Sequence, residues 1–254
     1  FDHKDNLFFR IDRKKKMIST TILQALPSKA SEKYLHECMQ NKVEPDIYKV
    51  SGMTSEEILT YFYETFKFKK NKDGWIVNLD MSNNKLRSSG SKDWGRSLKS
   101  ACNLERLYMK NNSISDDGGA ALVDCLITLK RLRILDLSEN CLGRKCGKAI
   151  RTMLMTSVSL SHLFLRWNRF LKDDMQALGE GVSGNESLVS LDLAFNALSK
   201  CHLILRDDAS EVVDCFFNAL STHGSLRHLD LSFNDFSVDE CRKFGEVLRR
   251  NVSI

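Results

Sequence analysis

Residues 132–142, LRILDLSENCL, decide the fold because their pattern of leucines and one asparagine returns at a fixed distance. The pattern L-x-x-L-x-L-x-x-N-x-L starts five times at intervals of 28 residues and a sixth time after 38, and residue 254 stands where a seventh copy would start. The six copies start at Ile76, Leu104, Leu132, Leu160, Leu188 and Leu226, and their asparagines are Asn84, Asn112, Asn140, Asn168, Asn196 and Asn234. Such self-similarity indicates one structural unit repeated along the chain.

The second half of each copy carries two more apolar columns, four positions apart. The first column is Trp94, Leu122, Ile150, Leu178, Phe216 and Phe244, and the second is Leu98, Leu126, Leu154, Val182, Leu220 and Leu248. A spacing of four predicts an amphipathic helix, whereas the alternating leucines in the first half predict a short strand. Each unit is therefore predicted to run from strand through turn to helix.

This spacing, with a helix in each unit, resembles the ribonuclease-inhibitor-like class of leucine-rich repeat proteins over about residues 75–254. The resemblance implies an α/β solenoid in which a curved parallel sheet lies inside and helices lie outside. We expect the asparagine column inside the turns, where each amide satisfies backbone groups as the chain leaves a strand. The resemblance defines the fold far more closely than the function.

The residues before the array do not match the repeat. TSEEILTYFYETFKF (54–68) predicts a helix that starts with a capping box of Thr54 and Glu57, and helices are also predicted at 31–41 and at 19–26, the latter ended by Pro27. We therefore expect three segments: a polar, basic arm (1–30), a helical cap (31–74) and the repeat array (75–254). The basic runs RKKK (13–16) and KFKKNK (67–72) fit either a nuclear address or contact with an acidic partner, or else a solvated arm and helix end.

Composition predicts a protein with a continuous core and no membrane span. Hydrophobic residues make up 42% of the chain, and the net charge of +5 arises from a mixed 28% of charged residues. The eight cysteines form no C-x-x-C pair and are expected to be reduced. GRKCGKA (143–149) is one residue short of a phosphate-binding loop, and Asn185-Glu-Ser187 and Asn251-Val-Ser253 match the glycosylation sequon. We expect neither cofactor nor metal, and a cytoplasmic location with the cytoskeleton or cilium as more specific settings.

Four positions of each repeat, the third, fifth, seventh and eighth, are expected to face the concave side of the sheet. In the last three repeats the eighth position is aromatic, and Phe164 and Arg166 lie beside this run. Because Trp, Tyr and Arg often dominate binding at interfaces, this surface is the candidate partner site. Its candidate residues are Tyr108, Phe164, Arg166, Trp167, Phe195, Phe233, Asp192 and Asp230. Two alternatives remain, since the aromatic residues can simply pack together at the turn, and the two aspartates belong to the common repeat word LDLS.

The ten extra residues of the fifth repeat, SKCHLILRDD (199–208), are predicted to form a loop that contacts a partner or folds back on the array. The favoured function is a non-enzymatic scaffold or adaptor that binds a protein partner through the concave face and repeat edges, within a cytoskeletal or axonemal assembly. The alternative is a GTPase-activating protein of the Ran-activator type, although its catalytic motif and acidic tail find no match in the sequence. We expect protein partners, and neither a membrane nor a nucleic acid.

Overall fold

The structure, a computed structural model, describes residues 6–7, 10–12, 25–26, 49–51, 78–84, 86–99, 101–200 and 209–254. From residue 78 onward strands and helices alternate. The strands in chain order are β1 (Asn6–Leu7), β2 (Arg10–Asp12), β3 (Ala25–Leu26), β4 (Lys49–Ser51), β5 (Asn78–Asp80), β6 (Arg106–Tyr108), β7 (Ile134–Asp136), β8 (His162–Phe164), β9 (Ser190–Asp192) and β10 (His228–Asp230). The helices are α1 (Arg87–Leu98), α2 (Asp116–Leu126), α3 (Arg144–Thr156), α4 (Asp174–Ser183), α5 (Ala209–Thr222) and α6 (Val238–Arg250).

Strands β5 to β10 form one parallel sheet in the order of the sequence, which confirms the predicted solenoid. The register is the same at every pair: Leu107 lies beside Leu135, and Leu135 lies beside Leu163. Residues that share a position in the repeat are therefore neighbours across the sheet. Side chains that share a column in the aligned repeats therefore form a row across the sheet.

The core lies between the sheet and the helices. The leucine or methionine at the fourth and sixth repeat positions is buried in the first five repeats, as are the two helical columns. Each helix packs against the next one along the chain. Strands lie about 4.8 Å apart whereas packed helices need about 8–10 Å, so the sheet forms the inner, concave side. In the last helix, Leu248 is 43% exposed.

The repeat asparagines form a ladder of hydrogen bonds, here called the asparagine ladder. The Nδ2 group of Asn140 donates to the carbonyl oxygens of Leu137 and Ser138 in its own turn and of Met109 in the preceding repeat, each at 3.0 Å. Its Oδ1 atom accepts from the N–H groups of Asn112 and Ile114, also at 3.0 Å. The predicted role of this column is confirmed, because the amide in each of the second to sixth copies joins two successive turns.

Two side-chain contacts join repeats in ways that the periodicity does not predict. The carboxylate of Asp116 accepts from three backbone N–H groups at the start of helix α3, in the following repeat, at 2.8–2.9 Å. Farther along, Lys172 Nζ lies 2.9 Å from Glu240 Oε1, and these side chains are only 15% and 9% exposed. Glu240 also accepts from Ser199 and Ser237. This ion pair links the fourth repeat to the sixth, across the fifth.

Segments before the array add a seventh strand to the sheet. Strand β2 pairs antiparallel with β5, at residues within the predicted arm. Strands β1, β3 and β4 form a separate small sheet. The helix predicted at 19–26 is wrong at its end, because Ala25–Leu26 is a strand and the residue before Pro27 is biased away from helical geometry. The predicted cap helices, both basic runs and residues 201–208 of the insertion lie outside the described residues.

Candidate functional site

The eighth position of every repeat lies in a turn with left-handed backbone geometry. The φ angles are between 53° and 61° at Asn83, Asn111, Glu139, Trp167, Phe195 and Phe233. The N–H of Trp167 donates to the carbonyl of Ala194 at 3.0 Å, and that of Phe195 to the carbonyl of Ser232 at 2.9 Å. These bonds continue the sheet ladder past the strands. The eighth residue, which is expected to face the concave side of the sheet, thus lies in the turn that directly follows each strand.

Trp167, Phe195 and Phe233 form a stack of parallel rings at this edge, here called the aromatic row. The ring centroids of Trp167 and Phe195 are 4.4 Å apart with an interplanar angle of 10°, and those of Phe195 and Phe233 are 4.1 Å apart at 12°. Trp167 is 51% exposed and Phe233 is 69% exposed. The constant sheet register places these rings together, as the sequence predicted.

The left-handed turn itself does not require aromatic side chains. Glycine and asparagine adopt this geometry most readily, and Asn83 and Asn111 hold it in the first two repeats. A bulky residue in this region costs on the order of 1 kcal/mol or more. Stacking returns about 0.5–1.5 kcal/mol for each aromatic pair. The aromatic row thus gains little net stability from its backbone position while it leaves much ring surface in water.

Arg166 reaches from the fourth repeat onto groups of the fifth. Its guanidinium carbon lies 5.5 Å from the centroid of the Phe195 ring, and its Nη1 atom lies 3.9 Å from Asp192 Oδ2. The first distance is within the range of a cation–π contact. Arg166 therefore bridges the aromatic row and the carboxylates of the concave face.

The aspartates of the fifth column have a local structural role. Asp192 Oδ1 accepts from the N–H of Ala194 at 3.0 Å, and Asp230 Oδ1 accepts from the N–H and the hydroxyl of Ser232 at 2.9 and 2.6 Å. Burial raises the pKa of Asp192, and the neighbouring charges of Asp230 and Asp136 act in the same direction. The Ser232 hydroxyl and N–H lower the pKa of Asp230. The two side chains thus differ in environment although they are neighbours on adjacent strands.

The other two candidate residues lie on the strands. Phe164 is the register partner of Asp136 on one side and of Asp192 on the other, so it adjoins the aspartates next to the aromatic row. Tyr108 pairs with Asp136, one strand farther away. Two strand spacings, about 10 Å, therefore separate the backbone of Tyr108 from that of Phe164. The structure brings seven of the eight candidates to the last three repeats and leaves Tyr108 apart from them.

Two motifs that imitate functional sites have structural explanations. The N–H groups of Gly143, Lys145 and Cys146, in the segment that resembles a phosphate-binding loop, are bonded to the carboxylate of Asp116. Asn185, in the first sequon, is buried, and its amide donates to the carbonyls of Leu154 and Ser157. Neither group is presented to a ligand or to a modifying enzyme.

Across the described residues, no cluster of histidine, cysteine and carboxylate side chains is arranged to hold a metal ion. The described segments of the chain also include no helix whose length and apolar character suit a bilayer span. The cysteines of these segments are free thiols, and Cys125 and Cys146 are buried. Burial raises the pKa of the Cys146 thiol well above its ordinary value.

The comparisons with known proteins agree with the architecture. A family model for the leucine-rich repeat matches residues 100–123 and 225–239. The chain is 28% identical over 195 residues to human NACHT, LRR and PYD domains-containing protein 14, covering 68% of this chain and 18% of that protein. The described residues from Asn78 onward thus form a leucine-rich repeat array, as the sequence predicted.

Two further similarities were found, one in sequence and one in structure. The chain is 40% identical over 81 residues to the DNA-directed RNA polymerase subunit beta of Granulibacter bethesdensis, covering 32% of this chain and 6% of that subunit. The structure of Leiomodin-1 Actin-Binding Site 2 aligns with a TM-score of 0.49 and 16% identity, over 62% of this chain and 87% of that one. The chain spans less than a fifth of the length of the curated relatives it matches.

Proposed function

We propose that the array is a protein-interaction scaffold whose partner covers the aromatic row. The observation that carries this proposal is the exposure of stacked rings in turns where the same backbone is formed elsewhere by asparagine. Exposed apolar groups in a contiguous set indicate a surface that associates with another molecule. The strain and exposure of the row are costs that a bound partner would offset.

The proposed contact is centred on Trp167 and extends along the row to Phe195 and Phe233. Phe164 and Arg166 flank this centre, whereas Asp192, Asp230 and Tyr108 are proposed as its rim on the concave face. Trp and Arg are enriched among residues that dominate binding energy, and rim charges contribute less. The turns of the last three repeats add further area.

The experiment compares Trp167→Asn with Glu139→Asn, which changes the same position of the preceding repeat. A partner is first captured with the full chain by affinity purification, and its dissociation constant is then measured with each variant. We expect Trp167→Asn to weaken binding by about 2 kcal/mol, roughly 30-fold, with little change in thermal stability. Glu139→Asn should leave affinity nearly unchanged. A large loss of stability in Trp167→Asn with intact binding would contradict the proposal.

We further propose that the scaffold is non-enzymatic and acts within a cytoskeletal or ciliary assembly. Support for this setting comes from the resemblance to leucine-rich repeats, which include those of axonemal and other cytoskeletal assemblies. Co-sedimentation of the full chain with actin filaments and with microtubules tests the setting. A nucleotide-hydrolysis assay with candidate GTPases tests the non-enzymatic role, because acceleration of hydrolysis would show an activator instead of a scaffold.

The division into an arm (1–30), a cap (31–74) and an array (75–254) is proposed on the start of the repeat register at Ile76. Expression of residues 75–254 alone tests the boundary. A cooperative thermal transition with retained helical circular dichroism is expected, and failure to fold would show that the earlier residues belong to the same unit.

A further inference from the structure

The contacts of Arg166 are only partly repeated in the next unit of the array. Arg166 occupies the seventh position of the fourth repeat, and its guanidinium contacts the eighth-position ring and the fifth-position carboxylate of the fifth repeat, Phe195 and Asp192. Because the sheet register is constant, the same translation leads from Phe195 and Asp192 to Phe233 and Asp230. A ring and a carboxylate are thus placed together twice.

The seventh position of the fifth repeat is Ala194 instead of arginine. Its methyl group is buried and too short to reach the ring and carboxylate of the sixth repeat. Both groups of that repeat face solvent: Phe233 is the more exposed ring of the row, and Asp230 is exposed. Among the residues that the structure describes, no cation therefore contacts the ring–carboxylate pair of the sixth repeat as Arg166 contacts its counterpart.

The charges around this pair favour a positively charged ligand. Asp192 and Asp230 lie on adjacent strands and share the single guanidinium of Arg166, whose charge acts on both carboxylates. Asp235 is engaged by Lys200, whose Nζ lies 2.9 Å from Asp235 Oδ2. Because Asp235 is paired with Lys200, Asp230 is the nearest remaining carboxylate in sequence to the exposed Phe233 ring.

We infer that the partner inserts an arginine side chain over the Phe233 ring and toward Asp230, in the arrangement that Arg166 adopts over Phe195 and Asp192. This inference rests on the proposed function and names the chemistry of its partner. A guanidinium is favoured over an ammonium group because it is planar, stacks on rings and binds carboxylates through a fork of N–H donors. The surface is thus a receptor for an arginine-bearing protein segment.

The experiment uses the full chain and two defined peptides, acetyl-Gly-Gly-Arg-Gly-Gly-amide and its citrulline counterpart, which is nearly isosteric and neutral. Binding is followed by the backbone amide signals of Ser232 and Phe233 in nuclear magnetic resonance titrations. We expect the arginine peptide to bind about threefold to tenfold more tightly, as one exposed cation–π contact and one exposed ion pair would provide. Equal binding of the two peptides, or shifts confined to other repeats, would overturn the inference.

Two variants test whether the preference for the arginine peptide depends on Asp230. Asp230→Asn keeps an oxygen to accept from the Ser232 N–H but removes the charge, and it should abolish most of the preference for arginine. Asp136→Asn makes the same change in the third repeat and should leave the preference intact. An unchanged preference in Asp230→Asn would overturn the inference.

Ala194→Arg supplies the cation within the chain, and a folded variant should lose the preference as well. If this variant does not fold, the Asp230→Asn comparison still decides.

These outcomes are separable from the proposed function. If Trp167→Asn weakens partner binding but the peptides bind equally, the aromatic surface stands and the arginine inference fails. If the arginine peptide is preferred but Trp167→Asn leaves partner affinity unchanged, the cation subsite stands and the proposed contact fails.

Discussion

The first three repeats and the last three have the same backbone at the strand-to-helix edge and different surfaces there. In the first half, Asn111 donates to Asn83 at 3.0 Å, and Glu139 forms an ion pair with Lys110 at 2.9 Å. In the second half the same row of left-handed turns carries stacked aromatic rings. The ladder of backbone and asparagine hydrogen bonds therefore sets the position of the eighth side chain, whereas the residue type at that position is free to vary.

The largest effect is expected from breaking the frame that both halves share. Asn140→Ala should lower the free energy of unfolding by about 3 kcal/mol, because several buried backbone groups lose their partner at about 1–3 kcal/mol each. Asn196→Ala, in the second half, should also lower the free energy of unfolding, but by less. Asn196 is less buried, and its Oδ1 atom accepts from the Phe170 N–H at a longer distance of 3.2 Å. Chemical denaturation measures both.

Asn111→Gly is the matched control, because it removes an exposed amide next to the ladder and keeps a residue that tolerates positive φ. Its effect should stay within about 0.5 kcal/mol. Equal losses in Asn140→Ala and Asn111→Gly would show that the asparagine ladder is not what unites the two halves.

The next effect concerns a contact found in the second half. Glu240→Gln should lower the free energy of unfolding by about 2 kcal/mol, because it leaves the Lys172 ammonium group largely buried without its counter-charge. The control is Asp214→Asn, which breaks the exposed pair with Lys243 between neighbouring repeats and should cost less than about 1 kcal/mol. If the two variants are equally stable, the buried pair contributes no more than a surface pair.

The same residue predicts a pH dependence. Burial opposes ionisation of Glu240, but its contacts with Lys172, Ser237 and Ser199 outweigh burial and lower its pKa. The stabilisation is therefore present above the ordinary value of 4.5 and is lost as pH falls through the lowered pKa. Thermal melts of Glu240→Gln should accordingly change less with pH over this acidic interval than those of the unmodified chain.

A smaller effect sharpens the contrast at the eighth position. Phe195→Asn should destabilise the fold by about 1 kcal/mol, because the central ring loses two stacked neighbours while strain is relieved at one residue. Phe233→Asn loses a single stacking contact and should change stability by less than about 0.5 kcal/mol. Paired melting curves test this order. The reverse order would mean that the row is held by the packing of its outer ring.

The smallest effect is expected at Asp192. Its raised pKa means that the folded protein holds the proton more tightly than the unfolded chain, so stability falls as pH rises above the ordinary value of 3.8 through the raised pKa. Asp192→Asn should then raise the free energy of unfolding at pH 7 by less than about 0.5 kcal/mol. Unfolding measured at pH 7 and at pH 3 should show the gain only at the higher pH. A loss at pH 7 would instead give the carboxylate a stabilising role.

The repeat register predicted most of the fold and the aromatic row, because a constant strand pairing turns columns of sequence into rows of structure. Trp167, Phe195 and Phe233 were found in this way. Their left-handed geometry was not foreseen, since asparagine and phenylalanine at one position give no common signal for φ.

Contacts that are not repeated along the array were also not predicted from the sequence. Asp116 lies in the first turn of helix α2, where aspartate is common, yet its carboxylate accepts hydrogen bonds from the start of helix α3. Strand β2 lies outside the period and pairs by backbone groups that its sequence does not mark. Lys172 and Glu240 are 68 residues apart, a separation that no single repeat length explains. Periodicity thus predicts what is repeated and leaves the exceptions to the three-dimensional structure.

The ion pair between Lys172 and Glu240 changes how the array should come apart. A solenoid in which each unit touches only its neighbours frays one unit at a time from an open end, like a one-dimensional chain of independent steps. A bond that skips a unit removes that freedom, because the sixth repeat cannot leave without breaking a link to the fourth. We expect repeats four to six to unfold as one cooperative block, so the segment that carries the aromatic row opens as a whole or remains closed.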